Sequence, residues 1–487
     1  MDPLILSLDL GTSSIRAALF TSAGTRVIES TSHQKSPLQT KSDGTCVMRP
    51  AALLKSVREC IHRTLQYARS DRRFRARPIA AVGVSCFWHS LLGVDDQGTP
   101  LTDVVTWADS RCRDDAAELR RVFSELVIHG RTGCMLRSSF WPSKLRWLRR
   151  TDPSGFKKAR RWMSPAEWIQ LQIAGSAHCA IGMATGTGLF DPSTLAWDPD
   201  LLSFLKLKAS SFLEISDKPS AISSSAVRHF PELAGAVWFP AIGDGAASNL
   251  GSGCTKPGMA AINVGTSAAL RVMRAGKVAR APFGLFCYRV DAARYLVGGA
   301  VSNAGNLRAW GISNLQTGSP AALEKAMSGR LRPAHGLTVL PFWTTERAPS
   351  WNENLNGVIL GITQATSGID LLQAITEGTY HRLALIAEMV TQKTGDIEKF
   401  LVSGGIQSSK SAMQRLANTM NITLHPNPEA EASIRGAAVF AAENLGLPIT
   451  ALKCMRAIRP QRAAAVDYQK ERERISNLER LLEQNPL

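Results

Sequence analysis

The chain has 487 residues, 44% hydrophobic and 20% charged, which is too long for one hydrophobic core and too evenly balanced for a disordered or fibrous protein. Its formal net charge of +17 admits either a nucleic acid or an anionic small molecule as ligand. No run approaches the roughly 18 apolar residues of a membrane span, and the start, MDPLILSLDL, reads as a first strand rather than a signal peptide.

In chain order, 4–10 and 15–20 read as strands around a Gly-Thr-Ser-Ser turn, and TSAGTRVIES (21–30) reads as a hairpin returning through Ala23-Gly24. Residues 50–68 have helical spacing, with Leu53, Leu54, Val57, Ile61 and Leu65 on one face. IAAVGVSCF (79–87) is a buried strand, and SLLGVDDQGTPL (90–101) is another strand followed by an Asp-Gln-Gly turn. Helices then dominate to about residue 175. They include the densest basic block, KLRWLRRTDPSGFKKARR (144–161), which reads either as a nucleic-acid footprint or as a surface helix with Leu145 and Leu148 inward. The second half opens at AVWFPAIGDGAASNLGSG (236–253). It continues with a long helix at 369–391, a strand KFLVSGG (399–405), helices at 411–419 and 431–445, and an amphipathic tail carrying Ile475, Leu478, Leu481 and Leu482. The nine cysteines (46, 60, 86, 112, 134, 179, 254, 287 and 454) are dispersed and contain no C-x-x-C pair, which argues against a disulfide framework or zinc site and for a reducing cytoplasm.

One motif occurs twice. LSLDLGTSSIRAALF (6–20) and AINVGTSAALRVM (261–273) align without a gap, placing Asp9 on Asn263, Gly11 on Gly265, Thr12 on Thr266 and Ser13 on Ser267. A strand–GTS–strand unit opening each half suggests a duplication with a cleft between the halves, hinged near 245–255. Glycine at the turn lets a phosphate approach backbone N–H groups, and the Thr and Ser hydroxyls add donors. Two such loops facing each other can hold a triphosphate from both sides, and a carboxylate to fix a divalent metal is needed only once, as Asp9.

On these residues the chain resembles the FGGY carbohydrate kinases of the actin-like ATPase superfold over nearly its whole length. DLGTSS (9–14) and NVGTSAAL (263–270) look like that family's two phosphate loops, and KLRWL (144–148) like part of one signature. GITQATSGIDLLQAITEG (361–378) looks like a second signature, with Thr376 where an apolar residue is usual. SGGIQSSKSAMQRLAN (403–418) looks like the adenosine-binding turn and helix, and EASIRGAAVFAA (431–442) like the closing helix. The resemblance implies an α/β fold of two actin-like (ribonuclease H-like) domains, 1–248 with the sugar site and first phosphate loop, and 249–487 with the second loop and the adenosine site. It implies Mg2+ and ATP, with Asp9 at the metal and Gly11, Thr12, Ser13, Gly265, Thr266, Gly305, Gly404, Gly405 and Ser409 at the nucleotide.

The resemblance also makes Asp244, expected in the small-residue turn of AIGDGAASNLG, the general base that takes the acceptor's proton as it attacks the γ-phosphorus. Trp88 and His89 fall where the family carries a Met-His pair against the sugar, so His89 is expected to meet substrate hydroxyls or a carboxylate, and Trp88 to narrow the pocket. TWADSR (106–111), HSLL (89–92), GTGLFD (186–191), GGAVSNAGNLRAW (298–310) and Gly245 look most like the gluconokinase branch. KSDGTCVMRP (41–50) departs from the family by lacking its usual Glu and Asp. The expected activity is phosphorylation of a sugar acid, D-gluconate to 6-phosphogluconate, in the cytoplasm, with no nucleic-acid or membrane partner and with a homodimer left open. The alternatives are a kinase for another sugar or polyol such as xylulose, a non-catalytic actin-like ATPase, and a nucleic-acid binder.

Overall fold

The computed structural model describes residues 2–278, 280–344, 346–453 and 455–484. Two sheets, of seven and six strands, organise it, and their central strands follow the same plan. In the first, Leu4–Leu10 pairs antiparallel with Ser14–Thr21, which pairs antiparallel with Arg26–Lys35; on its other side Leu4–Leu10 runs parallel to Ile79–Cys86, which in turn pairs with Val237–Trp238 and Ile242–Gly243. In the second, Met259–Val264 pairs antiparallel with Ala268–Ala275 and parallel with Lys399–Ser403, beyond which lies Leu424–Pro426. The central strand of the first sheet is buried along its whole length, as its mainly apolar run, broken at Ser7 and Asp9, suits when helices cover both faces.

The helix Pro50–Ser70 starts on a proline and turns Leu53, Val57, Ile61 and Leu65 inward onto the first sheet. On the other face of that sheet lies a helix from the far end of the chain, Ala432–Asn444. Gly83 admits it: a Cβ there would stand 2.3 Å from the Ala437 carbonyl oxygen. The same helix crosses Asp244–Gly251, where Cβ atoms at Gly251 and Gly436 would lie 1.7 and 1.8 Å from opposing carbonyl oxygens. The stretch expected as the hinge, near 245–255, begins as this helix, packed glycine against backbone on the closing helix.

The long helix Gly368–Thr394 covers the second sheet. The tail helix Arg462–Gln484 buries Ile475 beside Leu340 and Phe342, with Leu478 and Leu482 packed alongside and Leu481 outward. A third cluster, around Trp141, Leu145, Trp162 and Leu201, holds a helical layer on the first half. The basic block belongs to this layer: Lys144 is fully buried with Nζ donating to the His89 carbonyl at 2.9 Å, and Arg146 and Arg150 grip the buried Asp115. The eight described cysteines are free and buried, and Cys454 lies outside the described residues. Among the described residues no helix is long and apolar enough to cross a membrane.

Candidate active site

The parallel strands of the first sheet carry their carboxylates at their C-terminal ends, the usual position for a ligand site in an open α/β sheet. Asp9 stands opposite Ser85 on one side, and Ile242 stands opposite Ser85 on the other, so that Asp244 follows within two residues. Asp244 does not sit in a turn, as the sequence suggested; it is the first residue of the helix Asp244–Gly251 and accepts the Gly245 N–H at 2.7 Å. Burial raises its carboxyl above the ordinary range, while Arg271, the Gly245 amide and Arg347 pull it back down.

Thr12 of the first loop and Ser267 of the second line one cavity of about 170 Å3 together with Asp244, Trp88 and His89. On its other side the second loop opens to a larger cavity of about 640 Å3, lined by Gly265, Thr266, Gly305, Gly405, Ser409 and Tyr380. The loop is seated on the start of the helix Gly305–Asn314: the Gly305 and Asn306 amides donate to the Gly265 and Thr266 carbonyls at 2.9 and 3.1 Å. A Cβ at Gly305 would stand 2.4 Å from the Gly265 oxygen.

Other expected residues take different parts. Gly11 closes the first turn, its N–H on the Ser14 carbonyl at 3.0 Å, and lines neither cavity; Ser13 is exposed beside it. Gly404 adopts φ +93 and passes against the second loop, where a Cβ would lie 2.5 Å from the Val264 oxygen. The Ser409 hydroxyl is committed to Glu324 at 2.9 Å and to capping the helix Lys410–Met420, so its contribution to the larger cavity is shape. Thr376 lines the same cavity, its hydroxyl turned back onto the Leu372 carbonyl.

His89 is held in one tautomer. Its Nδ1 faces the Gly186 carbonyl, an acceptor, so Nδ1 carries the proton. Burial pushes its pKa down to about 3, so the ring is neutral and Nε2 is a bare acceptor. It suits a substrate hydroxyl and not a carboxylate. Trp88 also has a specific setting: its Nε1 donates to the Gly182 carbonyl at 3.0 Å, and its ring lies where Cβ atoms on Gly186, Gly243 and Gly245 would come within 2.3, 1.8 and 2.7 Å. Gly245, read as a mark of substrate, is first of all the space that Trp88 and Arg271 require.

Sequence reasoning missed two residues. Arg271, from the strand Ala268–Ala275, and Arg347, from the segment after Phe342, line the smaller cavity from remote parts of the chain. The only advance signal for Arg271 was its place five residues after Thr266 in the second loop's outgoing strand.

The donor set at Asp9 fits a hard divalent ion. Asp9 is pushed up to about 6, mainly by burial and further by the negative charges of Asp244 and Glu431, which is the environment a cation relieves. Arg16 stands 3.5 Å from Asp9 and 2.8 Å from Glu431. His335, Glu377 and Glu471 form a second group close enough to hold a metal. There the Leu337 amide donates to His335 Nδ1 at 3.0 Å, which leaves the proton on Nε2, the atom aimed at both carboxylates. That histidine is set to donate to Glu377, and the cluster is a buried hydrogen-bonded tie that also recruits Tyr468 and His381 from the two packed helices.

The sequence profiles of the FGGY family of carbohydrate kinases match this chain over residues 4–250 (N-terminal domain) and 260–445 (C-terminal domain). The gluconokinase of Bacillus subtilis is 26% identical, covering 90% of this chain and 87% of its own length. The glycerol kinase of Koribacter versatilis is 25% identical, covering 91% and 90%. Among solved structures, a gluconate kinase from Lactobacillus acidophilus superposes with a TM-score of 0.89 at 25% identity, covering 99% of this chain and 98% of that one. The ligand-bound xylulose kinase of the same organism superposes with a TM-score of 0.91 at 25% identity, covering 99% of each. The α/β fold of two actin-like domains read from the sequence is the fold these sugar kinases share.

Proposed function

Because the chain belongs to the FGGY family of carbohydrate kinases, we propose that it transfers the γ-phosphate of ATP to a hydroxyl of a sugar acid, D-gluconate to 6-phosphogluconate. The observation that carries the reading is the single cavity in which Asp244 meets Thr12 of one GTS loop and Ser267 of the other. The acceptor hydroxyl lies against Asp244, which takes its proton as the oxygen attacks. His89 Nε2 accepts from a second hydroxyl and so orients the chain of the sugar. The donor lies across the second loop, its phosphates toward Gly265 and Thr266 and its adenosine in the larger cavity by Gly305, Gly405 and Tyr380. Asp9 would hold Mg2+, directly or through water, and the chemistry supplied there would be neutralisation of charge on the transferring phosphoryl group. The halves built on the first and the second sheet close on the acceptor and keep water from the γ-phosphate.

Gluconate is favoured over xylulose and glycerol by the motifs shared with the gluconokinase branch, and over neutral polyols by the cavity's positive charge. The test is an ADP-release assay over gluconate, xylulose, ribulose, glycerol and erythritol under the same Mg-ATP, with gluconate expected to give the highest kcat/KM. A preference of tenfold or more for xylulose overturns the acceptor and leaves a kinase of the ketopentose type. ADP release with none of them overturns the catalytic reading.

A further inference from the structure

The acceptor cavity has an unusual charge count. Its charged lining residues are one carboxylate, Asp244, and two guanidinium groups, Arg271 and Arg347, with His89 neutral beside them. Buried cations at this density need a partner. Glu346, next to Arg347 in the chain, is taken by Arg382 at 2.7 Å. Arg347 is held in place: its Nε donates to Ser302 Oγ and a terminal nitrogen to the Val301 carbonyl, both at 3.0 Å, and its guanidinium lies 5.0 Å over the Trp107 ring. Arg271 has a buried Nε with no hydrogen-bond partner among the described residues. Burial pushes both guanidinium groups down, Arg347 to about 10, and the charge of Arg271 lowers Arg347 further. An anion placed between them and the cavity removes all three penalties at once.

Building on the kinase reading above, we propose that Arg271 and Arg347 hold the carboxylate of the substrate, and that this pair makes the protein select a sugar acid over a neutral polyol or ketose. The planar guanidinium presents a fork of donors that a carboxylate matches and a primary alcohol does not. The reacting hydroxyl then lies at Asp244, and His89 Nε2, which repels a carboxylate, takes a hydroxyl between the two ends. The rival role for the same residues is electrostatic support of Asp244 or of the phosphoryl group, which would slow every acceptor alike.

The experiment compares gluconate with glucitol, which replaces the carboxylate by CH2OH on the same carbon chain. Steady-state rates are measured for the wild type, Arg271→Gln, Arg271→Lys and Arg347→Gln. Each Gln variant is expected to lower the gluconate-to-glucitol ratio of kcat/KM by roughly 10- to 100-fold, the worth of a charged hydrogen bond, chiefly through KM for gluconate. Arg271→Lys should recover part of that ratio. Calorimetric titration with gluconate in the absence of nucleotide should show weaker binding in both Gln variants, with binding of a non-hydrolysable ATP analogue retained as the measure of an intact fold. An unchanged ratio, or an unchanged gluconate Kd in variants that still bind the analogue, overturns the carboxylate clamp while gluconate phosphorylation by the wild type keeps the kinase reading. A wild type that phosphorylates ketoses but no sugar acid overturns the acceptor reading and the clamp together.

Discussion

The two sheets present the same strand ends with different chemistry. In the first, Asp9 faces Arg16 on its antiparallel neighbour and Ser85 on its parallel neighbour; in the second, Asn263 faces Ala269 and Ser403 at the corresponding positions. The next strand out is followed by Asp244, which opens a helix, in the first sheet and by Asn427 in the second. One backbone plan thus ends in acids in one half and in amides in the other. Asn263 bonds to Ser403 Oγ at 3.1 Å and stays uncharged, as suits a loop beside polyanionic phosphates. On the proposed reading, the acids stand where a metal and an acceptor proton would be held. Two loops of the same backbone plan thus differ in charge.

The comparison breaks most severely at the base. Asp244→Asn gives the first sheet the second sheet's chemistry, and turnover should fall by roughly 10²–10⁴-fold, the usual worth of a general base, while titration with an ATP analogue still registers binding. Near-normal turnover would move the base elsewhere. Asp9→Asn makes the first loop a copy of the second, and half-maximal rate should then need roughly 10–100 times more Mg2+, read from a magnesium titration at fixed ATP. The reverse exchange, Asn263→Asp, sets a negative charge against the phosphates; nucleotide should bind about tenfold more weakly or worse, since like charges at such range cost ~1–4 kcal/mol.

A finer test concerns pH. Burial raises Asp244 and Arg271 draws it down again, so kcat/KM should climb as Asp244 ionises with rising pH, and Arg271→Gln should shift that climb to higher pH. A profile that does not move would separate Arg271 electrically from the base. The smallest effect is on stability and belongs to the second half. Burial beside Glu377 pushes Glu471 up to about 8 from 4.5. The folded state therefore keeps a proton that the unfolded chain has released: its contribution is full below about 4.5 and is lost as pH rises through 8. Thermal unfolding of the wild type should lose midpoint temperature across that window, and Glu471→Gln should flatten the slope.

The strands and helices were legible because their burial is one-sided and periodic: the face Leu53, Val57, Ile61, Leu65 turns inward along the helix Pro50–Ser70, and the strand Leu4–Leu10 is apolar because both its sides are covered. The tail was legible to within one residue, Leu481, which faces outward. The setting of Asp244 was less so, since an acid among glycines and alanines reads as a turn, and only the packing of Gly251 and Gly436 makes a helix there.

The sequence alone determined the duplicated loop, the asymmetry of acid and amide within it, and the class of chemistry that follows, because those depend on residues close together in the chain. Tertiary structure decided how the acceptor is met. Arg271 and Arg347 are 76 residues apart and Trp88 lies among glycines as distant as Gly186 and Gly245. No local pattern marks such residues, since a charge on a strand and an arginine in a loop are ordinary surface choices until folding turns them into one cavity. The tautomer of His89 was decided in the same way, by a carbonyl 97 positions further along the chain.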